Sequence, residues 1–154
     1  MTRGSSAPTD DARAFSARHA SLAEAASFVN GFCTRHRIDR SLELKLTLVL
    51  EELITNTVEH GFGIDSDAPI RVALRTSVSG GVSVLYEDTA PRFDPLAHDA
   101  DTPGGVDDPF DARPLGGLGI HLVGRLVTDA RYAYEDGRNR LWLTLADGAD
   151  SSTV

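Results

Sequence analysis

A chain of 154 residues, 41% hydrophobic and 25% charged, has the size and composition of one globular domain with a core of its own. A net charge of −8, from 15 Lys and Arg against 23 Asp and Glu and without a basic cluster, argues against a nucleic-acid partner. No apolar run is long enough to span a bilayer, "MTRGSSAPTDDAR" lacks the apolar core of a secretory signal, and the lone Cys33 suits a reducing cytoplasm without an internal disulfide.

Residues 1–11 and 147–154 are small and polar and are expected to fray, leaving a domain over 12–146. "RAFSAR" (13–18) reads as a short edge strand. From Ser21, an N-cap candidate with Glu24 at the capping-box position, Leu22, Ala25, Ala26, Val29, Phe32 and Cys33 recur at helical spacing. A second helix is predicted from near Ser41 to about His60, where "GFG" stops it. Ile70, Val72, Leu74 and Val78 then alternate with polar or small residues, "SGG" turns the chain, and Val82, Val84 and Tyr86 form the return strand of a hairpin.

Residues 89–115 carry five prolines and six aspartates with no hydrophobic period, and a loop this long inside a compact domain is usually functional or disordered. Ile120, Leu122, Val123, Leu126 and Val127 return to helical spacing. Tyr132 and Tyr134 suggest a strand, "EDGRN" a turn, and Leu141, Leu143 and Leu145 a final strand. Hairpins interleaved with helices predict an α/β sandwich with helices on one face of a mixed sheet.

Three groups of residues carry chemistry. Glu52, Asn56 and His60 stand at successive four-residue steps in "LVLEELITNTVEHGFG", so on an α-helix they form one polar row beside Leu46, Val49, Leu50 and Leu53. Magnesium bound with a nucleoside triphosphate draws most of its oxygens from phosphate and water, so one neutral amide such as Asn56 suffices as protein ligand. Glu52, one turn earlier, can take a proton from an attacking hydroxyl, whereas Glu51 points about 100° away. On spacing alone the row also fits a helix border with satisfied polar groups, and His60 a structural or capping role.

Asp88 lies where a strand meets the long loop in "YEDTAPRFDPL". A carboxylate there can accept from the exocyclic amine of adenine; guanine presents an acceptor oxygen instead, and an unpaired buried group costs roughly 1–3 kcal/mol. By itself Asp-Thr-Ala-Pro is also ordinary turn chemistry. In "PLGGLGIHLVGRL", Gly117 and Gly119 precede an apolar-periodic helix, where bare backbone and the helix N-terminus can receive phosphate. Leu122 replaces the third glycine of a dinucleotide fingerprint, and no Gly-Lys-Ser/Thr of a P-loop exists.

In chain order these give a helix with Glu-x-x-x-Asn, an Asp at a strand end, a long loop, and Gly-x-Gly opening a helix. This resembles the ATP-binding fold shared by gyrase B, the heat-shock chaperone ATPases, sensor histidine kinases and the MutL proteins, the GHKL superfamily. Within it, "EELITN", "FDP" and "GGLGI" are most similar to the bacterial anti-sigma factor serine-protein kinases. The resemblance covers roughly residues 12–146. It implies a two-layer α/β sandwich of the Bergerat type, with Asn56 as magnesium ligand, Glu52 as catalytic base and Asp88 reading adenine. Gly117, Leu118, Gly119 and Ile120 would offer backbone to the phosphates, and residues 89–115 would form the ATP lid.

The same resemblance implies Mg-ATP-dependent phosphorylation of an antagonist protein by a domain that also binds a sigma factor, and it allows a homodimer. A nucleotide-sensing switch without phosphate transfer, or the detached ATP domain of a histidine kinase, are the alternatives. Two departures stand out. Ala90 occupies a position that is usually glycine in the family, adding strain of order 1 kcal/mol if φ must be positive there. Arg113 is the only lid cation close to the glycines, placed either to reach the γ-phosphate or to sit in solvent.

Overall fold

The computed structural model describes residues 11–78, 80–96 and 125–146. Strand β1 (Asp11–Ser16) leads into helices α1 (Ser21–Arg35) and α2 (Arg40–Asn56), and α2 continues into a π-helical turn, Thr57–Phe62. Strands β2 (Pro69–Thr76), β3 (Val82–Asp88), β4 (Asp129–Glu135) and β5 (Arg138–Leu145) follow. Together the strands form one sheet in the order β1-β2-β3-β5-β4.

The two-layer α/β architecture is as expected, but all four pairings are antiparallel where a mixed sheet was predicted. The reason lies in the second hairpin. The crossover after β3 returns β4 parallel to it, yet β5 folds back and inserts between the two, so the parallel strands are never neighbours. That hairpin turns on Asp136 and Gly137, both at positive φ (55° and 75°), the backbone that a two-residue type I′ loop demands and that Asp-Gly supplies.

Alternation decides which face of the sheet is buried. Ile70, Val72 and Leu74, then Val82, Val84 and Tyr86, then Leu141, Leu143 and Leu145 all point to one face and join one core. The helices fill it from above with Ala25, Val29, Phe32 and Cys33 of α1 and Leu42, Leu46, Val49, Leu50, Leu53 and Ile54 of α2. Leu50, 1% exposed, sits at the centre, where truncation to alanine costs about 2–5 kcal/mol. Val78 was expected to continue β2 but is fully exposed in the turn beyond it.

Helix boundaries follow local chemistry, with one correction. The Asp39 carboxylate accepts from the Ser41 backbone N–H and starts α2. At α1 the predicted capping box is not made: Ser21 lies inside the helix and its hydroxyl donates to the Ser16 carbonyl, fixing the bend after β1. The N-cap is instead Ala20, without a side-chain bond. Gly63, at φ 79°, ends the π turn, as the glycines of "GFG" suggest.

β1 begins at Asp11, which pairs with Leu74, rather than at residue 13. Asp11 therefore does not belong to a frayed end; the rest of that expectation concerns residues outside those described. Most of the helix predicted from Ile120 onward also lies outside them.

Candidate functional site

The end of α2 and the ends of β3 and β5 meet at a cleft lined among others by Leu53, Asn56, Thr57, Asp88, Ala90 and Asn139. Two of the three sequence-predicted groups thus converge: Asn56 from the helix and Asp88, the last residue of β3, from the sheet. Glu52 stands one turn before Asn56 and is half-buried, outside the lining itself. His60 leaves the row. It falls in the wider i→i+5 turn, which breaks the four-residue alignment and carries its side chain into solvent. Gly117, Leu118, Gly119, Ile120 and Arg113, with lid residues 97–115, lie outside the described residues.

Asn56 is 7% exposed, and neither its amide oxygen nor its amide nitrogen has a hydrogen-bond partner among the described residues. Buried polar groups are almost always paired, because stripping water from one without replacement costs about 1–3 kcal/mol. An orphaned amide lining a cleft is therefore a group waiting for a partner.

Asp88 is the opposite case. Its Oδ2 accepts from the Thr57 hydroxyl at 2.7 Å, and its Oδ1 accepts from the Asn139 side-chain amide at 2.8 Å and the Ala90 backbone N–H at 3.2 Å. The Tyr86 hydroxyl stands 2.7 Å from Thr57 Oγ1, and donating its proton there leaves the single Thr57 proton for Asp88; the Leu53 carbonyl lies within reach of both hydroxyls, at 3.1 Å from Thr57 and 3.0 Å from Tyr86. Burial, and next the charge of Asp88, hold the Tyr86 phenol well above its ordinary pKa, so it stays a neutral donor. An ionised carboxylate offers about four acceptor sites. Three donors reach it among the described residues, one short of that number.

Burial raises the Glu52 pKa above its ordinary value, with further contributions from the charges of Glu51 and Glu59. A carboxylate tuned upward is a better proton acceptor near neutral pH. The conditional strain at Ala90 is absent: among described non-glycine residues only Arg37 and Asp136 have positive φ. Thr57, Tyr86 and Asn139 were not singled out from sequence. Thr57 directly follows Asn56, and Tyr86 precedes Asp88 by two on the same strand face, which is the signal available for those two.

Comparison with known proteins places this geometry. The family described as the histidine kinase-like ATPase domain matches residues 15–145. The chain is similar to the RsbU and RsbW domains of Rv1364c from Mycobacterium tuberculosis, with 18% identity and a TM-score of 0.64. That match covers 95% of this chain but 34% of the other, so the chain spans about a third of that protein's length. It is also similar to the SiaB-SiaC complex structure from Pseudomonas aeruginosa, with 14% identity, a TM-score of 0.62, and 86% and 88% of the two chains covered. No curated protein matches it. Over most of its length, and with Asn56 and Asp88 in one cleft, the chain belongs to the histidine kinase-like ATPase domain family.

Proposed function

We propose that this domain is an anti-sigma factor with serine/threonine-protein kinase activity, using Mg-ATP to phosphorylate an antagonist protein in a partner-switching system. The observation that carries the reading is the pairing, in one cleft, of a buried amide without a partner among the described residues with a carboxylate that only three donors reach among them. The residues fit the ligand. The Asn56 amide oxygen, buried and without a partner among the described residues, would be the protein ligand of magnesium beside phosphate and water oxygens. When bound, Mg-ATP supplies the transferable phosphoryl group and the charge that balances it.

The chain's own residues do the rest. Asp88, fixed by Thr57 and Asn139, accepts one N–H from the adenine amine. Leu53, Ala90 and Leu141 give the base an apolar bed. Glu52, on the Asn56 side of α2, receives the proton of the attacking serine or threonine hydroxyl, and its raised pKa suits that task. The kinase branch is supported by "EELITN", "FDP" and "GGLGI" and by structural neighbours that include an RsbW domain and a protein complex.

Calorimetry with Mg-ATP and Mg-GTP tests the site. Binding of ATP at least tenfold tighter than GTP is expected, with the preference lost in Asp88→Asn. Equal affinity of the wild type for both nucleotides would remove Asp88 from the base-reading role.

A further inference from the structure

Asn139 lies directly across from Asp88 in the β3–β5 pairing and is 8% exposed. The two hydrogens of its amide nitrogen are shared among three acceptors, Asp88 Oδ1 at 2.8 Å, the Ala90 carbonyl at 3.0 Å and the Pro91 carbonyl at 3.1 Å. Its amide oxygen accepts from the Phe93 backbone N–H at 3.0 Å and from the Tyr132 hydroxyl. Three acceptors surround the nitrogen and two donors the oxygen, so the amide cannot be flipped without losing every one of these bonds. One side chain from β5 thus ties together the end of β3, residues 90–93 that leave it, and Tyr132 of β4.

We infer that Asn139 is a positioning residue for base selection. It holds Asp88 and residues 90–93 in the single arrangement that leaves one carboxylate acceptor site facing the cleft. Thr57 restrains only Oδ2, and the Ala90 N–H moves with the segment that Asn139 fixes. Without Asn139, Oδ1 regains freedom to rotate and its vacant sites can take water or a different donor. The carboxylate then discriminates less well between an amine and a carbonyl edge. Asn139 needs no contact with the nucleotide for this.

The inference rests on the nucleotide-binding reading for its consequence but not for its geometry, so the experiment has two arms. Hydrogen exchange on the nucleotide-free protein compares wild type with Asn139→Leu. Loss of protection is expected at the Phe93 and Ala90 amides, while β3 and β5 amides such as those of Val84 and Leu143 keep theirs. Calorimetry with Mg-ATP and Mg-GTP compares wild type, Asn139→Leu and Asn139→Asp at pH 8 and pH 5.5.

Removing the buried donor should weaken ATP binding by roughly tenfold and shrink the ATP-to-GTP ratio. Asn139→Asp should bind ATP poorly at pH 8, where two carboxylates face each other, and recover at pH 5.5, where a shared proton restores a donor. A residue that merely filled space would not produce that recovery.

Unchanged protection at Phe93 and Ala90 in Asn139→Leu overturns the inference. So does an unchanged ATP-to-GTP ratio in a folded variant. A wild type that binds no ATP contradicts the nucleotide reading and the base-selecting role together, while the exchange arm alone still decides whether Asn139 holds residues 90–93.

Discussion

A Cβ placed on Gly61 would stand 2.8 Å from the Cβ of Ala90, closer than two such atoms can approach. The methyl of Ala90 is 3% exposed and occupies the space that the missing side chain of Gly61 leaves in the wall of the cleft. The departure from glycine at position 90 is therefore matched by a glycine at position 61. Gly61→Ala should destabilise the domain by about 1–3 kcal/mol through overpacking. Ala90→Gly should cost about 1 kcal/mol for the lost methyl and the added freedom of the unfolded chain. The double variant should be more stable than Gly61→Ala alone, since the clash is gone. Chemical denaturation of the four proteins measures the coupling, and strict additivity would mean that the two positions do not compete for space.

Asn56 separates stability from function in a different way. Because its amide has no partner among the described residues, Asn56→Leu removes an unsatisfied buried group instead of breaking a bond. The variant should be at least as stable as wild type, with a gain of about 1 kcal/mol, and should lose Mg-ATP binding. A thermal melt and a binding isotherm on the same sample check both. A large destabilisation would show that the amide is satisfied in solution without nucleotide.

Thr57→Val is expected to act in the opposite direction on stability. It removes the hydroxyl between Tyr86 and Asp88, leaving Asp88 Oδ2 without its donor. A loss of about 1–3 kcal/mol in denaturant unfolding follows, with weaker ATP binding. Stability equal to wild type would mean that water replaces the hydroxyl at no cost.

The π turn is tied back to the start of α1. His19 Nε2 meets Glu59 Oε2 at 2.9 Å, and its Nδ1 meets Asp65 Oδ1 at 3.2 Å. The hydrogen bond to Glu59 is the main influence raising the His19 pKa, with Asp65 adding to it. A folded pKa above the unfolded value near 6.5 contributes stability that is full below that value and fades as pH rises through the folded one. The drop in melting temperature from pH 6 to pH 8.5 should accordingly be smaller in His19→Gln than in wild type. The effect will be modest, because the groups are exposed. Identical drops in both proteins would exclude the link.

The legible parts of this protein are those set by local periodicity. Period-two alternation placed Ile70, Val72 and Leu74 on the core face, and helical spacing put Glu52 and Asn56 on one side of α2. Asp88 stood out because the junction of a strand and a long loop is a favoured place for a ligand contact, although Asp-Thr-Ala-Pro also reads as turn chemistry. Asn139 did not. Its role depends on the register between β3 and β5, which brings together residues 51 apart in sequence, and "EDGRN" reads locally as nothing more than a turn. His60 was misplaced for a related reason, since no local pattern signalled that α2 would widen into a π turn.

Phosphate transfer by Glu52 and Asn56 variants decides whether this domain is a kinase. Radiolabelled ATP is supplied to the wild type, Glu52→Gln and Asn56→Ala with any protein captured by pull-down on the wild type, alongside nucleotide affinity for each. Glu52→Gln should bind Mg-ATP nearly normally and lose about 10²–10⁴-fold in transfer rate, the usual cost of removing a general base. Asn56→Ala should lose binding and transfer together. The wild-type rate should fall as pH drops through the Glu52 pKa, which lies above the ordinary 4.5, because protonation removes the base. Transfer by Glu52→Gln at the wild-type rate would contradict the assignment of the base, and a wild type that binds ATP and its partners yet never transfers phosphate would contradict the kinase itself.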